Sequence, residues 1–209
     1  DAEAHNNLGI ALFKLGRMPE AIGHLEQALR LKPEYAEARN NLATALSQLG
    51  TGAAAQGKWD EAIALFERAI QTKPDNAQVY DSLGLALGRV GRFAAAAGNY
   101  EKALAIDARL ITAQNNLAWL LATSGDGTIR NGARAVELAE GLNKLAGGKD
   151  AAVLDTLAAA YAAARRFRKA VQAAREAIEL LTGVEQTEVV RQIGKRLQLY
   201  KVRRPYREG

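Results

Sequence analysis

Small and large apolar residues return along this chain in a fixed order about every 34 residues, from Ala2 to Val184. Copies begin at Ala2, Ala36, Ala77, Ile111 and Ala151. The seventh place of each is a leucine followed by glycine or alanine: Leu8-Gly9, Leu42-Ala43, Leu83-Gly84, Leu117-Ala118 and Leu157-Ala158. Place eleven is large and apolar (Leu12, Leu46, Leu87, Leu121, Tyr161), and place twenty is always alanine (Ala21, Ala62, Ala96, Ala135, Ala170). Small residues at fixed places let two helices approach closely, and large ones fill the space between them. Each copy therefore predicts a helical hairpin. Gly16, Gly57 and Gly91 follow the first helical run, where a left-handed residue ends a helix, and Pro33 and Pro74 stop the second.

Leu-Gly, then alanine, an aromatic, alanine and proline over 34 residues resembles the tetratricopeptide repeat. The resemblance implies an all-α, right-handed superhelical solenoid of five hairpins in one domain spanning 1–209, with repeats 2–35, 36–76, 77–110, 111–149 and 151–184. Past the fifth repeat, Val190, Ile193, Leu197 and Tyr200 share one helical stripe, which predicts an amphipathic capping helix within 185–209. The signature weakens late in the chain: place twenty-four, Leu25, Phe66 and Tyr100 in the first three repeats, becomes Ala139 and Ala174. Residues 115–123 and 130–132 are similar to a late repeat of bacterial members.

Two repeats are too long. The second carries seven extra residues around Gly50 to Gln56, about two helical turns, which predicts lengthened hairpin helices with a turn retained near Gly50-Thr51-Gly52; a plain loop is the alternative. The fourth carries about five around Gly125 to Arg130, rich in turn formers, and predicts a loop.

Candidate chemistry is sparse. There is no cysteine and there are only two histidines, and the carboxylates are scattered, so neither a metal cluster nor a nucleophile with its base is assembled. No catalytic role, metal or cofactor is expected, and His5 is read as a packing residue. Gly52 to Lys58 imitates the start of a phosphate-binding loop, but Trp59 stands where a Ser or Thr would hold magnesium, and the flanks are helical. The sequence opens on Asp1 without a cap before the first repeat, which reads as a piece of a longer chain. Charged residues interrupt every apolar stretch, so a soluble protein of cytoplasm or periplasm is expected.

What remains is surface. In tetratricopeptide arrays the first helix of each repeat lines a concave groove. Here Asn6, Asn7, Asn40, Asn41, Asp81, Ser82, Asn115 and Asn116 occupy the fifth and sixth places, and Ile10, Thr44, Leu85 and Trp119 the ninth. Asparagine offers a donor and an acceptor to an extended peptide backbone, and the row resembles the groove of the repeat domain of O-GlcNAc transferases; the alternative is that these asparagines, frequent at this place in the family, bond neighbouring helices instead. Trp119 is the expected anchor, unless the fourth-repeat insertion covers it.

Residues 151–209 hold 12 Lys and Arg against 6 Asp and Glu, and the rest of the chain is nearly balanced. Arg165, Arg166, Arg168, Lys169, Arg203 and Arg204 form a patch for an anionic partner, although a solvated basic terminus is the simpler reading and neither nucleic acid nor anionic lipid is expected. The expected function is a non-catalytic scaffold that binds a protein or peptide in its groove. The alternatives are a substrate-recruiting region of a larger enzyme such as a glycosyltransferase, and self-association through the N-terminal end.

Overall fold

Good helix formers fill the runs between glycine and proline punctuation, and the computed structural model is helical over those runs. It describes residues 1–181 and 188–208. Eleven helices lie among the described residues. α1 (Ala2–Lys14) pairs with α2 (Met18–Leu31), α3 (Ala36–Ala55) with α4 (Trp59–Thr72), and α5 (Ala77–Arg89) with α6 (Phe93–Ile106). α7 (Ile111–Thr123) pairs with α8 (Gly132–Leu145), α9 (Ala151–Ala163) with α10 (Phe167–Leu181), and α11 (Glu188–Lys201) packs on α10. The chain divides into two compact units, Asp1–Ala108 and Arg109–Gly209. The expected boundary between fifth repeat and cap, at 184/185, lies outside the described residues.

Close approach of the paired helices organises the first unit. A Cβ added to Gly9 would lie 2.7 Å from Leu25 Cγ, one on Gly84 2.7 Å from Tyr100 Cε1, and one on Gly50 2.8 Å from Phe66 Cε1. Each glycine thus leaves the space that one large residue of the second helix fills. Ala21, Ala28, Ala62, Ala69, Ala96 and Ala103 flank these contacts with essentially no exposure.

The three hairpins of the first unit close by one recurring cap. Gly16 donates to Phe13 O and Arg17 to Leu12 O, and the same pair of bonds recurs around Gly57 and Gly91. All three glycines are left-handed, with φ of 74–76°, which is the Schellman arrangement. In the fifth hairpin Arg165 takes the place of the glycine, with φ 62°, and the amides of Arg165 and Arg166 donate to Ala162 O and Tyr161 O. A side chain in that conformation costs about 1 kcal/mol.

The second repeat departs from the expected internal turn. α3 runs unbroken through Gly50-Thr51-Gly52 to Ala55, so its 20 residues exceed the 13 of α1 and α5, while α4 has the same 14 as α2 and α6. Only one helix of the hairpin is longer. Counted from the turn, the leucine–glycine pair of this hairpin is Leu49-Gly50, not Leu42-Ala43. Counted from the start of the helix, Ala38, Leu42, Ala43 and Leu46 repeat the buried pattern of Val79, Leu83, Gly84 and Leu87. Both registers hold because seven residues advance the helix by two turns less about 20°, leaving one face buried throughout. The sequence resembling a phosphate-binding loop is the last turn of α3 and the hairpin cap.

In the second unit α9 is central. It packs against α7, α8, α10 and α11, and every residue from Val153 to Ala162 is buried. The fourth-repeat insertion is a loop ordered by its own bonds. Asp126 accepts from the Thr128 amide (2.8 Å) and hydroxyl (2.7 Å), and Arg130 Nη1 donates to the carbonyls of Ser124 (2.9 Å) and Gly125 (2.8 Å). In the first unit, His5 and His24 stack across the α1–α2 hairpin with their Nδ1 atoms 3.0 Å apart.

The two inserted glycines are expected to respond oppositely to alanine. Gly50→Ala overpacks against Phe66 and should cost about 1–3 kcal/mol. Gly52→Ala has open space around its Cβ inside a helix and should add about 0.5–1 kcal/mol. Urea unfolding of both variants reads the two signs, and a Gly52→Ala variant no more stable than wild type would contradict the continuous helix.

Candidate functional site

The first helices of the repeats present different faces in the two units. In Asp1–Ala108, the sixth- and ninth-place residues Asn7, Thr44 and Leu85 are exposed, with Ile10, Asn41 and Ser82 half-buried. Residues three apart on a helix share a face, so Asn7 with Ile10, Asn41 with Thr44 and Ser82 with Leu85 form three such pairs. Lengthening of α3 adds Gln48 and Thr51, both exposed, at the places that correspond to Asn7 and Ile10 when counted from the hairpin turn. The sequence signal for them is the pair Leu49-Gly50, seven residues after Leu42-Ala43. The side chains of Asn7, Asn40, Gln48 and Ser82 make no hydrogen bond among the described residues, so they keep donors and acceptors for a ligand. Leu85, 42% exposed, adds apolar area beside them.

Two fifth-place residues are corrected by the structure. Asn6 has no exposure and Asp81 only 4%, which removes both from any ligand-facing surface. Asn6 instead joins repeats: it accepts from Asn41 Nδ2 at 3.0 Å and donates to Glu37 Oε1 at 3.2 Å. Burial of an amide requires such partners, and here they come from α3 and tie the first repeat to the second. The asparagine row is thus split in this unit: Asn6 and Asn41 hold helices together, and Asn7 and Asn40 face solvent.

In Arg109–Gly209 the corresponding face is covered. Trp119 Nε1 donates to Glu208 Oε1 at 2.9 Å, and the Trp119 ring meets Tyr206 with centroids 6.1 Å apart. The Arg196 guanidinium from α11 lies 5.2 Å from the Trp119 centroid and 5.6 Å from that of Tyr206. The same guanidinium pairs with Asp155 of α9 through two bonds, of 3.0 and 2.6 Å. Trp119 is therefore covered by residues 206–208 and α11, not by the insertion. Asn115 and Asn116 are half-buried on the same helix, and the Asn115 Oδ1 atom is buried without a partner among the described residues.

Electrostatics concentrate at this cluster. Burial pushes the Asp155 carboxyl up, against the downward pull of Arg196. Tyr200 of α11 is 1% exposed, its hydroxyl has no partner among the described residues, and burial, reinforced by the Asp155 charge, pushes it well above the usual phenol range.

The basic residues are only partly gathered. Arg165, Arg168 and Arg203 line, with Phe167, a cavity of about 340 Å³. Lys169 leans instead toward Glu140 (4.0 Å) and over the Tyr161 ring, while Arg166 and Arg204 are exposed. Among the described residues no group of three His, Cys, Asp or Glu is placed to hold a metal ion, and no helix is long and apolar enough to cross a membrane.

Two sequence models of the tetratricopeptide repeat match residues 1–75 and 47–111, together more than half of the chain. The chain is a tetratricopeptide-repeat protein. No curated protein matches it. Among solved structures, it is similar to YrrB, described as a TPR protein with an unusual peptide-binding site, at 18% identity over 93% of this chain and 92% of that one, with a TM-score of 0.66. A tetratricopeptide-repeat protein from Parabacteroides merdae aligns at 15% identity over 97% of this chain and 74% of that one, TM-score 0.68. Yeast Tom70 aligns at 20% identity over 97% of this chain, which spans 40% of Tom70, TM-score 0.58. At these identities the likeness is one of fold. Tetratricopeptide-repeat proteins are generally non-catalytic scaffolds for protein interaction.

Two substitutions probe the buried cluster of this repeat protein. Arg196→Met leaves the Asp155 carboxylate buried without its partner and should cost about 3–5 kcal/mol; denaturant titration of the variant beside Asp155→Leu/Arg196→Met, which should recover most of that loss, checks it. Tyr200→Phe addresses pH. A phenol whose folded-state pKa lies above its unfolded value stabilises the native state fully below about pH 10, and that contribution is lost as pH rises further. Tyr200→Phe should therefore melt like wild type or slightly higher at neutral pH, since no hydrogen bond is removed, and should flatten the fall in melting temperature above about pH 10.

Proposed function

We propose that this protein is a non-catalytic scaffold whose first-helix faces in Asp1–Ala108 receive an extended peptide or a partner helix. The carrying observation is the juxtaposition of uncommitted amides with one exposed and one half-buried apolar side chain, Leu85 and Ile10. Asn7, Asn40 and Gln48 satisfy no internal requirement, and place nine of the first and third repeats holds Ile10, half-buried, and Leu85, exposed. Amides bond the main chain of a ligand whatever its sequence, and apolar residues between them supply the area that makes the contact last. An accessory role, in which this region recruits substrate for an enzyme on the same polypeptide, uses the same face.

A second reading, self-association through the α1 end, has its own support: Leu8, from the pair that elsewhere in the repeats is buried, is 45% exposed. The whole chain is read as one functional domain of five repeats and a capping helix.

An array of extended peptides probed with labelled protein tests the scaffold reading. Ile10→Glu/Leu85→Glu should lose binding at least about tenfold, roughly 1.4 kcal/mol or more, with an unchanged melting temperature. Retention of the same peptides at equal affinity would reject this face, and light scattering that shows growth in mass with concentration, abolished by Leu8→Glu, would favour the second reading.

A further inference from the structure

The end of this chain behaves as a bound peptide does. α11 stops by a Schellman cap in which Arg203, with φ 57°, stands where glycine is usual, and Arg203 and Arg204 donate to Tyr200 O and Leu199 O. Pro205 follows and cannot continue a helix. The next residues lie along the end of α7. Arg207 Nη1 donates to Ala122 O at 3.0 Å, the Glu208 amide donates to Thr123 O at 2.8 Å, and Ser124 and Glu208 form an isolated parallel bridge. Gly125 admits this approach, because a Cβ there would lie 2.7 Å from Glu208 O. Side chains add selectivity: Tyr206 enters the Trp119–Arg196 cluster, and Glu208 accepts from the Trp119 indole. Main-chain bonding with alternate side chains held in place is how an extended peptide is recognised at a sheet edge, and residues 123–124 at the end of α7 offer the same pairing to Glu208.

We propose that the face built by Trp119, Arg196 and the 123–125 backbone is an acceptor for an extended peptide with an aromatic residue two places before an acidic one. Residues 206–208 are its resident intramolecular occupant, and a partner bearing the same pattern binds by displacing them. The inference rests on the scaffold reading above, but it concerns Arg109–Gly209 and not the face of Asp1–Ala108. The chemistry of the occupant follows from the acceptor. Trp119 and Arg196 offer an aromatic plane and a cation, which suit another aromatic ring. The indole N–H, which donates to Glu208 Oε1, asks for an acceptor, best a carboxylate. Because the occupant is joined to α11 by only a few residues, it competes at an effective concentration of about millimolar, so the acceptor stays closed to weak ligands and opens to a partner that is tighter or locally abundant.

The test uses a fluorescein-labelled peptide of sequence Arg-Arg-Pro-Tyr-Arg-Glu-Gly, titrated by anisotropy into the full chain and into a full-length Tyr206→Ala/Glu208→Gln variant. The variant should bind at least about tenfold more tightly than wild type, and should weaken at least about tenfold when the peptide's own tyrosine becomes alanine or its glutamate becomes glutamine. Adding Ile10→Glu/Leu85→Glu should leave this binding unchanged, which separates failure of the acceptor from failure of the face in Asp1–Ala108. Equal affinity for wild type and variant, equal binding of a scrambled peptide, or no binding to a variant that melts like wild type would each overturn the proposal. If the double variant does not fold, Glu208→Gln alone, which keeps the Tyr206 packing, must still bind the peptide more tightly than wild type does. A wild-type chain that dimerises with concentration and loses dimers in the Tyr206→Ala/Glu208→Gln variant would assign the face to a second copy's 206–208 segment and overturn the claim for a foreign partner.

Discussion

The missing side chain at Gly9, Gly50 and Gly84 sets the geometry of the first unit. Because a Cβ at any of them would stand within 3 Å of Leu25, Phe66 or Tyr100, the two helices of each hairpin meet at a separation that a larger residue would forbid. The buried alanines of the second helices extend that close seam, and the area sealed between the helices supplies most of the favourable free energy of a hairpin. A hairpin closed in this way buries one face of each helix and leaves the opposite face of the first helix for other uses.

The same constraint explains why a seven-residue insertion is tolerated inside a repeat. The glycine must face the aromatic of the partner helix, and a heptad is the short insertion that returns the helix to nearly the same angle. α3 satisfies its own hairpin through Leu49-Gly50 and the preceding repeat through its first half, where Asn41 donates to the buried Asn6. The cost of a long first helix is small, and it places Gln48 and Thr51 on the surface beside the row begun by Asn7.

In the second unit the first-helix face is filled from within. A buried ion pair gives little net stability once desolvation is counted, yet the pair of Asp155 and Arg196 fixes a cation between two aromatic rings and so positions Trp119 toward residues 206–208. α11 packs on α10 and α9 and also supplies the guanidinium that lies over the Trp119 and Tyr206 rings. In the first unit, by contrast, the amides of the corresponding face hold no resident segment among the described residues.

Spacing and residue type determined the helical hairpins, the left-handed cap glycines and the loop at 125–130, since each follows from positions within a few turns of one helix, and the signature residues carried the resemblance to the family. The length of α3 was only half legible, because a helix-compatible Gly-Thr-Gly carries the same local propensity as a turn and only packing against Phe66 decides between them. The division of the asparagine row into buried Asn6 and exposed Asn7 was not legible either: adjacent polar residues differ by about 100° around the helix, and which one faces the next repeat depends on how the repeats stack. Residues 206–208 and Arg196 were further still from view. Their meeting with Trp119 joins positions about 80–90 apart in sequence, and no local pattern records which distant segment a folded chain brings to a given face; that is settled by the tertiary structure.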